Sequence, residues 1–337
     1  MTPVPFRLDT VVWELTRACT FSCRYCGSRA GSPLPDEMGP AEQLGVADQL
    51  VAMRVRRVVL LGGEVFLKTD WERVAVRLME GGCRVSVITN GWLVDKAQAD
   101  HLVDVGIPYV AVSIDGTREV HDENRLAGSF DRAVAAVEEL HSHGITTAVI
   151  TTVNHTSAAT LRELHATIRD AGADVWQIQA CTPFGNAAFA RELVPTVDDL
   201  REVVRLVAEL SCSDLPILAA DNIGYFTPEE SHIRGRRGMR FGGCSAGLSM
   251  AGIDSTGNVR GCEALYDSRF IEGNLRDLPL DEIWGNPNAF AYNRAFTLEK
   301  LTGICSTCEV RGRCAGGCRS MNWACHGDTN GSVTCLR

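Results

Sequence analysis

A regular alternation of short apolar runs and longer amphipathic segments extends over residues 10–211. The short runs are rich in β-branched residues and predict strands, whereas the longer segments repeat apolar residues at helical spacing. This alternation is typical of repeated βα units that build a parallel sheet. The predicted strands are residues 10–15, 57–61, 84–89, 109–114, 146–153 and 175–179. The predicted helices are residues 41–53, 71–80, 97–105, 130–143, 158–171 and 197–211.

The predicted units make up three quarters of an eight-unit barrel, because right-handed crossovers curl the sheet in one direction. The strand runs are almost continuously apolar, as expected for strands that are covered on both faces. Several helices are followed by a glycine that we expect to form a left-handed cap, namely Gly81, Gly106, Gly144 and Gly172. The sequence therefore predicts an α/β fold, a partial (β/α)6 TIM-like barrel whose functional site lies at the carboxyl ends of its strands.

Polar or glycine-rich residues follow each predicted strand. A single motif of this kind, such as Gly62-Gly63-Glu64, is weak evidence, because it is as often only a turn. Repetition after all six strands is stronger evidence, since the carboxyl ends of parallel strands meet in one cup. The residues at these ends are the segment 19–26, Gly62, Gly63, Glu64, Asn90, Ser113, Asp115, Asn154, Gln179 and Cys181.

The loop after the first predicted strand carries Cys19, Cys23 and Cys26 in a C-x3-C-x2-C pattern. Three thiols within eight residues can converge on one metal centre, whereas an odd number of thiols cannot pair off as disulfides. Four cysteines close a 4Fe-4S cluster, so a cluster held by only three has one iron free to bind another ligand. The alternative interpretation is a zinc loop.

The composition agrees with metal ligation in a globular protein. The chain has 337 residues, of which 45% are hydrophobic, 22% are charged and 14 are cysteines. The opening residues lack the apolar stretch of a signal peptide, so we expect a cytoplasmic protein whose thiols stay reduced and bind metal. No apolar run approaches the roughly 20 residues of a membrane span. The net charge of −9 provides no broad electrostatic footprint for nucleic acid.

The cysteine triplet resembles the signature of the radical S-adenosylmethionine (SAM) superfamily, C-x3-C-x-aromatic-C, with Tyr25 in the aromatic position. In that family the open iron chelates the amino and carboxylate groups of SAM. An electron from the cluster then cleaves the sulfonium and produces a 5'-deoxyadenosyl radical. The resemblance implies a SAM-dependent enzyme that abstracts hydrogen from an unactivated carbon.

The C-terminal cysteines show a second pattern. In order, it consists of Cys244, Gly257-x4-Cys262, Cys305-x2-Cys308-x5-Cys314-x3-Cys318 and Cys335. Zinc ribbons also use paired cysteines, but these intervals resemble the SPASM extension of the radical SAM superfamily. The resemblance implies a radical SAM core at 1–212, a bridging segment at 213–240 and a small Cys-rich SPASM domain at 241–337.

In the family, a SPASM domain holds two auxiliary 4Fe-4S clusters, which implies three 4Fe-4S clusters for this chain. The resemblance assigns Cys305, Cys308, Cys314 and Cys335 to the outer auxiliary cluster. It assigns Cys244, Cys262 and Cys318 to the inner one. The inner set is one ligand short, so either its last iron is open to solvent or substrate, or Cys325 closes it.

The resemblance also assigns contacts to SAM. Gly62, Gly63 and Glu64 would receive the methionine amino group, because glycine permits close backbone approach and a carboxylate neutralises an ammonium. Val65 replaces the proline that is common after this motif, which changes loop stiffness more than ligand chemistry. The other assigned contacts are Tyr25, Asn90, Gln179, the ribose partners Ser113, Asp115 and Asn154, and Arg125 beside the SAM carboxylate.

Cys181 is the candidate catalytic residue outside both signatures. Strand alternation puts Gln177, Gln179 and Cys181 on one face, toward the barrel mouth. An S–H bond is weaker than an aliphatic C–H bond, so this thiol could return hydrogen to a substrate radical from the opposite face, as in an epimerase. If an auxiliary cluster accepts the electron instead, the product is a ketone or a crosslink. The alternative interpretation is an inert buried cysteine.

The sequence indicates less about the identity of the substrate than about the type of reaction. About nine residues precede the first predicted strand, so we expect no fused peptide-recognition domain before the barrel. The leading hypothesis is epimerisation or dehydrogenation of a carbinol in an aminoglycoside-like sugar or cyclitol during natural-product biosynthesis. The alternative is maturation of a ribosomally made peptide by thioether formation, carbon–carbon crosslinking or epimerisation. A non-catalytic iron–sulfur electron carrier is a distant alternative.

Two further expectations concern partners. We expect an external electron donor such as flavodoxin or ferredoxin to reduce the clusters. One short basic cluster interrupts the acidic chain, and it is either a solvated loop or a contact to an anionic or hydroxylated substrate. Its residues are Arg234, Arg236, Arg237 and Arg240.

Overall fold

The computed structural model describes residues 6–234 and 241–337. The strands are β1 (Thr10–Glu14), β2 (Arg57–Leu61), β3 (Arg84–Thr89), β4 (Tyr109–Ser113), β5 (Thr146–Val153), β6 (Val175–Ala180), β7 (Ile217–Ala219), β8 (Met250–Ile253), β9 (Asn258–Arg260) and β10 (Gly273–Asn274). The longer α-helices are α1 (Pro40–Ala52), α2 (Trp71–Glu80), α3 (Lys96–Val105), α4 (Arg118–Asn124), α5 (Ser129–Ser142), α6 (Leu161–Asp170) and α7 (Val197–Leu210). The C-terminal region adds short ones, α8 (Glu230–Ile233), α9 (Leu280–Gly285), α10 (Ala291–Arg294), α11 (Arg311–Cys314) and α12 (Arg319–His326).

Within the described residues, one ten-stranded sheet has the order β10-β9-β8-β1-β2-β3-β4-β5-β6-β7. Strands β1 to β7 run parallel, and helices connect them. In α5 the buried residues recur every third or fourth position, which turns one apolar stripe toward the sheet. None of the helices in the described ranges combines the length and the hydropathy that crossing a membrane requires. The predicted α/β partial barrel is therefore confirmed.

Strand boundaries follow the sequence closely. Each of the six predicted strands is present, and its ends differ from the prediction by at most one residue. The helix predicted from residue 158 begins later, at Leu161, because a 3-10 turn occupies Ala158–Thr160. Helix α4 was not predicted, because seven residues are too few to show a helical period.

One predicted helix cap is wrong. Gly106, Gly144 and Gly172 have left-handed backbone angles, whereas Gly81 has a φ of −77°. The next residue, Gly82, has a φ of 85° and makes the turn instead. A Cβ at Gly81 would collide with the Val51 side chain. Gly81 is therefore needed for close packing between α2 and α1 rather than for its backbone angle.

The segment 213–240, predicted as a bridge, contains a further strand of the barrel sheet, β7. Strand β7 pairs in parallel with β6 and extends the barrel sheet by one strand. The Asn222 side chain then accepts from the Ala180 N–H at 3.0 Å and donates to the Ala180 carbonyl at 2.8 Å. A three-residue strand has no readable period, so only its pairing reveals it.

The C-terminal region continues the barrel sheet on its other edge. Strand β8 pairs in parallel with β1, and β9 and β10 follow as antiparallel neighbours. This edge places the residues around the β8–β9 turn beside the loop that leaves β1. The division at residue 241 stays a prediction, and the sheet crosses it.

The basic cluster is only partly described. Arg236, Arg237 and Arg240 lie outside the described residues. Arg234 is 4% exposed, so the expectation of a solvated arginine is wrong for this position. Its guanidinium donates to the carbonyls of Ala220, Ile223 and Gly224 and pairs with Glu230 at 3.0 Å. These bonds fold the chain after β7 into a compact turn.

Candidate active site

The loop after β1 brings the thiols of Cys19, Cys23 and Cys26 into the wall of one cavity of about 230 Å³, here called the cysteine cavity. The backbone N–H groups of Phe21 and Ala30 point at the sulfurs of Cys19 and Cys26, at 3.4 and 3.3 Å. Burial raises the pKa of the Cys23 thiol to about 12, and the neighbouring thiols add to the shift. Without a metal this thiol is therefore protonated at neutral pH.

The loop after β2 lies directly against the cysteine loop. The Gly63 N–H donates to the Thr16 carbonyl at 2.7 Å, and the Glu64 N–H donates to the Ala18 carbonyl at 2.8 Å. A Cβ on Gly62 would lie 2.8 Å from the Thr16 carbonyl oxygen, and one on Gly63 would lie 2.8 Å from the Ala30 Cβ. Both glycines line the cysteine cavity. Glycine is therefore required here so that the two loops can touch.

The Glu64 carboxylate does not line the cysteine cavity. It is fully buried and accepts hydrogen bonds from the Thr89 hydroxyl, at 2.9 Å, and from the Asn90 N–H, at 2.9 Å. Burial raises its pKa to about 7, although these hydrogen bonds act in the opposite direction. Glu64 therefore connects the end of β2 to the end of β3, and the glycine backbone before it faces the cavity.

Asp115 and Asn154 also lie outside the cavity wall. Asp115 is fully buried, and its oxygens accept from the Tyr25 hydroxyl, the Arg125 guanidinium and the Thr152 N–H, the last at 2.8 Å. Burial alone raises the pKa of Asp115, but the charge and hydrogen bond of Arg125 outweigh it and hold the pKa below its usual range. The side-chain amide oxygen of Asn154 accepts from the Thr156 hydroxyl and the Ser157 N–H and caps the turn after β5.

Most of the other residues expected at the strand ends do line the cysteine cavity. Asn90 donates to the Thr20 hydroxyl at 3.1 Å, and Gln179 donates to the Thr152 hydroxyl at 3.2 Å. The Arg125 guanidinium lies 5.7 Å from the centre of the Tyr25 ring. The predicted site residues that the fold brings into this wall are Cys19, Cys23, Tyr25, Cys26, Gly62, Gly63, Asn90, Ser113, Arg125 and Gln179.

The fold also gathers both predicted sets of C-terminal cysteines. All four outer cysteines line a second cavity of about 330 Å³; they are Cys305, Cys308, Cys314 and Cys335. In the inner set, burial is the main cause that raises the pKa of Cys262, and the charges of Glu263, Cys244 and Cys318 add to the shift. The Glu263 carboxylate, 3.3 Å away, accepts from the Cys262 thiol.

Cys325 is partly buried and packs against the hydrophobic core. Its sulfur is 3.7 Å from the sulfur of Met321 on the same helix, α12. Burial raises the pKa of Cys181 to about 12, and Asp115 and Cys325 contribute to this shift. This location favours Cys325 as a packing residue rather than as the ligand that completes the inner set.

Comparison with known proteins decides the family. The Radical SAM superfamily profile matches residues 13–169, and the SPASM profile, an iron-sulfur cluster-binding domain, matches residues 244–309. The mycofactocin maturase MftC of Mycobacterium ulcerans is 30% identical over 323 residues, which cover 93% of this chain and 83% of that relative. This chain belongs to the radical SAM superfamily. The AdoMet-dependent heme synthase of Oleidesulfovibrio alaskensis is also similar, at 27% identity over 94% of this chain and 84% of its own.

Solved structures share the fold of this radical SAM protein. Streptococcus suis SuiB bound to S-adenosylmethionine has a TM-score of 0.78 at 17% identity, and the match covers 98% of this chain and 78% of SuiB. SuiB bound to its precursor peptide SuiA has a TM-score of 0.75 at 16% identity, covering 99% and 77%. At this level of identity the likeness concerns the fold.

The cofactors of a radical SAM/SPASM enzyme are SAM, a SAM-binding 4Fe-4S cluster and auxiliary iron–sulfur clusters. The cysteine cavity fits the first two, since thiols form one side of it and the Gly62–Gly63 backbone, which admits no Cβ, forms another. In the described ranges no three His, Cys, Asp or Glu side chains converge on the position of one metal ion. A four-iron cube does not require such convergence, because each thiolate binds a separate iron.

A second space adjoins the cysteine cavity and is here called the Cys181 chamber. It has a volume of about 240 Å³. The two spaces share wall residues, among them Tyr25, Cys26, Thr152 and Gln179. Cys181 lines the Cys181 chamber and does not line the cysteine cavity. Cys181 is a buried residue, 2% exposed. The fold of this radical SAM enzyme therefore puts Cys181 in the chamber beside the cysteine loop.

The sequence did not predict several residues that line the cysteine cavity and the Cys181 chamber. Tyr266, a residue of the SPASM domain, lines the cysteine cavity and the Cys181 chamber. Glu263 and Asn222 line the Cys181 chamber. A Cβ on Gly27 would lie 2.7 Å from the Tyr266 ring, so the glycine makes room for it. Glu263 and Tyr266 closely follow the predicted ligand Cys262 in the sequence, which was the only local signal for them. They reach the barrel mouth because β8 pairs with β1.

Proposed function

We propose that this radical SAM enzyme abstracts a hydrogen atom from an unactivated carbon of a substrate in the Cys181 chamber, and that Cys181 returns a hydrogen atom to the opposite face. When bound, SAM and its cluster supply the abstracting 5'-deoxyadenosyl radical. The S–H bond of Cys181 breaks as the new C–H bond forms, which inverts the carbon and leaves a thiyl radical. One electron from an external donor of the flavodoxin or ferredoxin class and one solvent proton restore the thiol.

The observation that carries this proposal is the position of Cys181 relative to the cysteine loop. Cys181 and Cys26 both lie in the wall of the Cys181 chamber. Gln179 and Thr152 line this chamber and also the cysteine cavity beside it. Cys181 is 2% exposed, so its side chain has little contact with bulk water. A thiol in such a wall can donate to a carbon radical only if the substrate lies between it and the cysteine cavity.

We propose a ribosomally made peptide as the first substrate class. The similarity to a mycofactocin maturase over 93% of this chain supports it. SuiB, which has the same fold, has been solved with a precursor peptide bound. On this substrate Cys181 would invert a residue. If Cys181 does not donate, the substrate radical is oxidised and forms a thioether or carbon–carbon crosslink.

A hydroxylated sugar or cyclitol is the second substrate class, in natural-product biosynthesis. The wall of the Cys181 chamber supports it, because Thr152, Gln179, Thr182 and Asn222 present hydroxyl and amide groups that can bind several substrate hydroxyls. On this substrate the product is an inverted carbinol, or a ketone if the radical is oxidised instead.

The test uses reconstituted, reduced enzyme with SAM in deuterated water. The probes are any short peptide that a neighbouring gene encodes and a panel of aminoglycoside-like polyols. Wild-type enzyme should release 5'-deoxyadenosine and one inverted product with deuterium at the reacting carbon. Cys181→Ala should still release 5'-deoxyadenosine but form no deuterated inverted product. The matched control is Cys83→Ala, which removes a buried thiol outside the chamber.

Two results would contradict the proposal. Deuterated inverted product from Cys181→Ala would remove Cys181 from the mechanism. Wild-type enzyme that binds SAM but never releases 5'-deoxyadenosine would favour an iron–sulfur electron carrier.

A further inference from the structure

A fourth cavity, here called the charged chamber, is lined by Gly27 and Ser28 next to the cysteine loop. It has a volume of about 380 Å³, and Glu14, Arg17, Ser255 and Arg260 line it. Glu14 and Arg17 come from the carboxyl end of β1, whereas Ser255 and Arg260 flank the β8–β9 turn. Pairing of β8 with β1 therefore builds this chamber from two parts of the chain.

The wall of the charged chamber contains buried polar atoms without a partner. Among the residues that the structure describes, these atoms are Glu14 Oε2, Arg17 Nε, Ser255 Oγ and Arg260 Nε. Glu14 is 4% exposed and Ser255 is 0% exposed. A buried polar group without a hydrogen bond costs about 1–3 kcal/mol. Four such atoms around one space indicate that a polar ligand completes them.

The charges in this chamber favour an anionic ligand. Arg260 pairs with Asp254 at 2.9 Å, which leaves Arg17 and Arg29 as excess positive charges. Burial raises the pKa of Glu14 to about 7, so Glu14 is only partly ionised at neutral pH. Arg and carboxylate match geometrically, because a guanidinium presents parallel N–H donors to two oxygens.

The rim of the charged chamber has an exposed aromatic ring and a strained residue. Phe189 is 78% exposed, and the Arg29 guanidinium lies 4.8 Å from the centre of its ring. Arg29 has a left-handed φ of 56°, which is costly for a residue with a Cβ. Arg29 and Phe189 both line the charged chamber, so this edge is open to a ligand from solvent.

The charged chamber shares part of its wall with the Cys181 chamber. Gly27 and Tyr266 line both, and the Tyr266 ring packs on Gly27 between them. A substrate could therefore place one end in the charged chamber and its reacting carbon beside Cys181.

We propose that the charged chamber binds a carboxylate of the substrate, through the unpaired N–H groups of Arg17 and Arg260 and the Ser255 hydroxyl. An N–H group next to that carboxylate would donate to the free oxygen of Glu14. This pattern matches the terminal residue of a peptide or an acylated amino acid. The inference rests on the proposed function in that it assigns the reacting carbon to the adjoining Cys181 chamber.

Ligand binding tests this proposal without turnover. The reconstituted holoenzyme with SAM is titrated with N-acetyl-L-alanine and with N-acetyl-L-alanine amide, and saturation-transfer NMR reports their dissociation constants. We expect the acid to bind at least tenfold more tightly than the amide. Arg260→Gln and Arg17→Gln should each remove this preference, and Ser255→Ala should reduce it. The control is Arg162→Gln, which breaks an exposed ion pair with Glu209 outside the chamber.

Iron content and SAM binding show whether each variant has folded, and Ser255→Ala provides a test without loss of charge. Equal binding of acid and amide, or binding of neither, would overturn the proposal. Equal competition by inorganic phosphate would indicate a general anion site and would also overturn it. Release of 5'-deoxyadenosine is measured separately. If it fails while the acid still binds selectively, the proposed reaction is wrong and the carboxylate site stands.

Discussion

The Arg125 guanidinium pairs with the Asp115 carboxylate beneath the cysteine loop, where their side chains are 10% and 0% exposed. The Tyr25 hydroxyl bonds to the same carboxylate, so the aromatic residue of the cysteine motif is joined to the loop after β4. Helix α4 carries Arg125 at its C-terminal end. The Asn124 carbonyl also accepts from the Arg24 N–H at 3.0 Å. These contacts hold the cysteine loop in place from below.

Asp115→Asn should strongly destabilise the protein. The variant leaves the Arg125 charge buried without its partner, and breaking a buried pair costs about 3–5 kcal/mol. The free energy of unfolding in urea measures the loss. Asp131→Asn is the matched control, because the Arg118–Asp131 pair is 52% and 61% exposed and should contribute less than about 1 kcal/mol. Equal losses in the two variants would contradict a structural role for the buried pair.

The buried Glu64 should give stability a distinct pH dependence. Its pKa rises from an ordinary value of 4.5 to about 7 on folding, mainly because of burial. The folded state therefore keeps a proton that the unfolded chain releases, and stability falls as the pH rises between these values. Compared with Glu64→Gln, wild-type protein should lose about 3 kcal/mol of unfolding free energy over this range.

Urea unfolding at pH 5, 6, 7 and 8 measures this effect. The control is Glu138→Gln, which changes an exposed carboxylate on α5. Glu138→Gln should follow the wild-type curve, whereas Glu64→Gln should be flatter. Parallel curves for wild type and Glu64→Gln would mean that Glu64 is ionised in the folded protein throughout.

Gly63→Ala should weaken SAM binding at least tenfold. The added Cβ would lie 2.8 Å from the Ala30 Cβ and 2.8 Å from the Arg17 carbonyl oxygen, so the cysteine loop must move. Equilibrium dialysis of SAM against reconstituted enzyme measures the change. The control is Gly45→Ala in α1, where a Cβ meets no atom within 4 Å. Gly45→Ala should keep SAM affinity and add up to about 1 kcal/mol of stability. Unchanged SAM affinity in Gly63→Ala would show that the loops tolerate separation.

Cys325→Ala should leave the iron content of the reconstituted enzyme unchanged. Cys325 contacts Met321 at 3.7 Å and packs against the hydrophobic core, so we expect packing rather than ligation. Cys318→Ala is the contrasting variant, because Cys318 is grouped with Cys244 and Cys262, and it should lose about one cluster of iron and sulfide. Loss of the same amount of iron from Cys325→Ala would make Cys325 the missing ligand.

Much of the barrel could be predicted because its signals are local. Each strand from β1 to β6 is a short apolar run. Each connecting helix repeats apolar residues every three or four positions, which is one turn of an α-helix. The short cysteine motifs were equally accessible, since their intervals are written in a few residues, whereas the family resemblance supplied the grouping of Cys244, Cys262 and Cys318. Strands β7 and β8 were missed, because three or four residues show no period and their partners are distant in the sequence.

The direction of individual side chains was harder to predict. Glu64, Asp115 and Asn154 follow strands as expected, yet their polar atoms bond to neighbouring strands and turns instead of lining the cysteine cavity. Position after a strand places a residue near the barrel mouth, but packing and available hydrogen-bond partners decide where its atoms point.

The sequence by itself determined the order of strands and helices, the short cysteine motifs and the glycines between them, because each depends on spacing along a short stretch. Only the tertiary structure decided which side chains share a cavity. Glu14 and Arg17 are near the start of the chain, and Ser255 and Arg260 are more than 200 residues later. They face one chamber because β8 forms hydrogen bonds with β1, and no local pattern encodes that pairing.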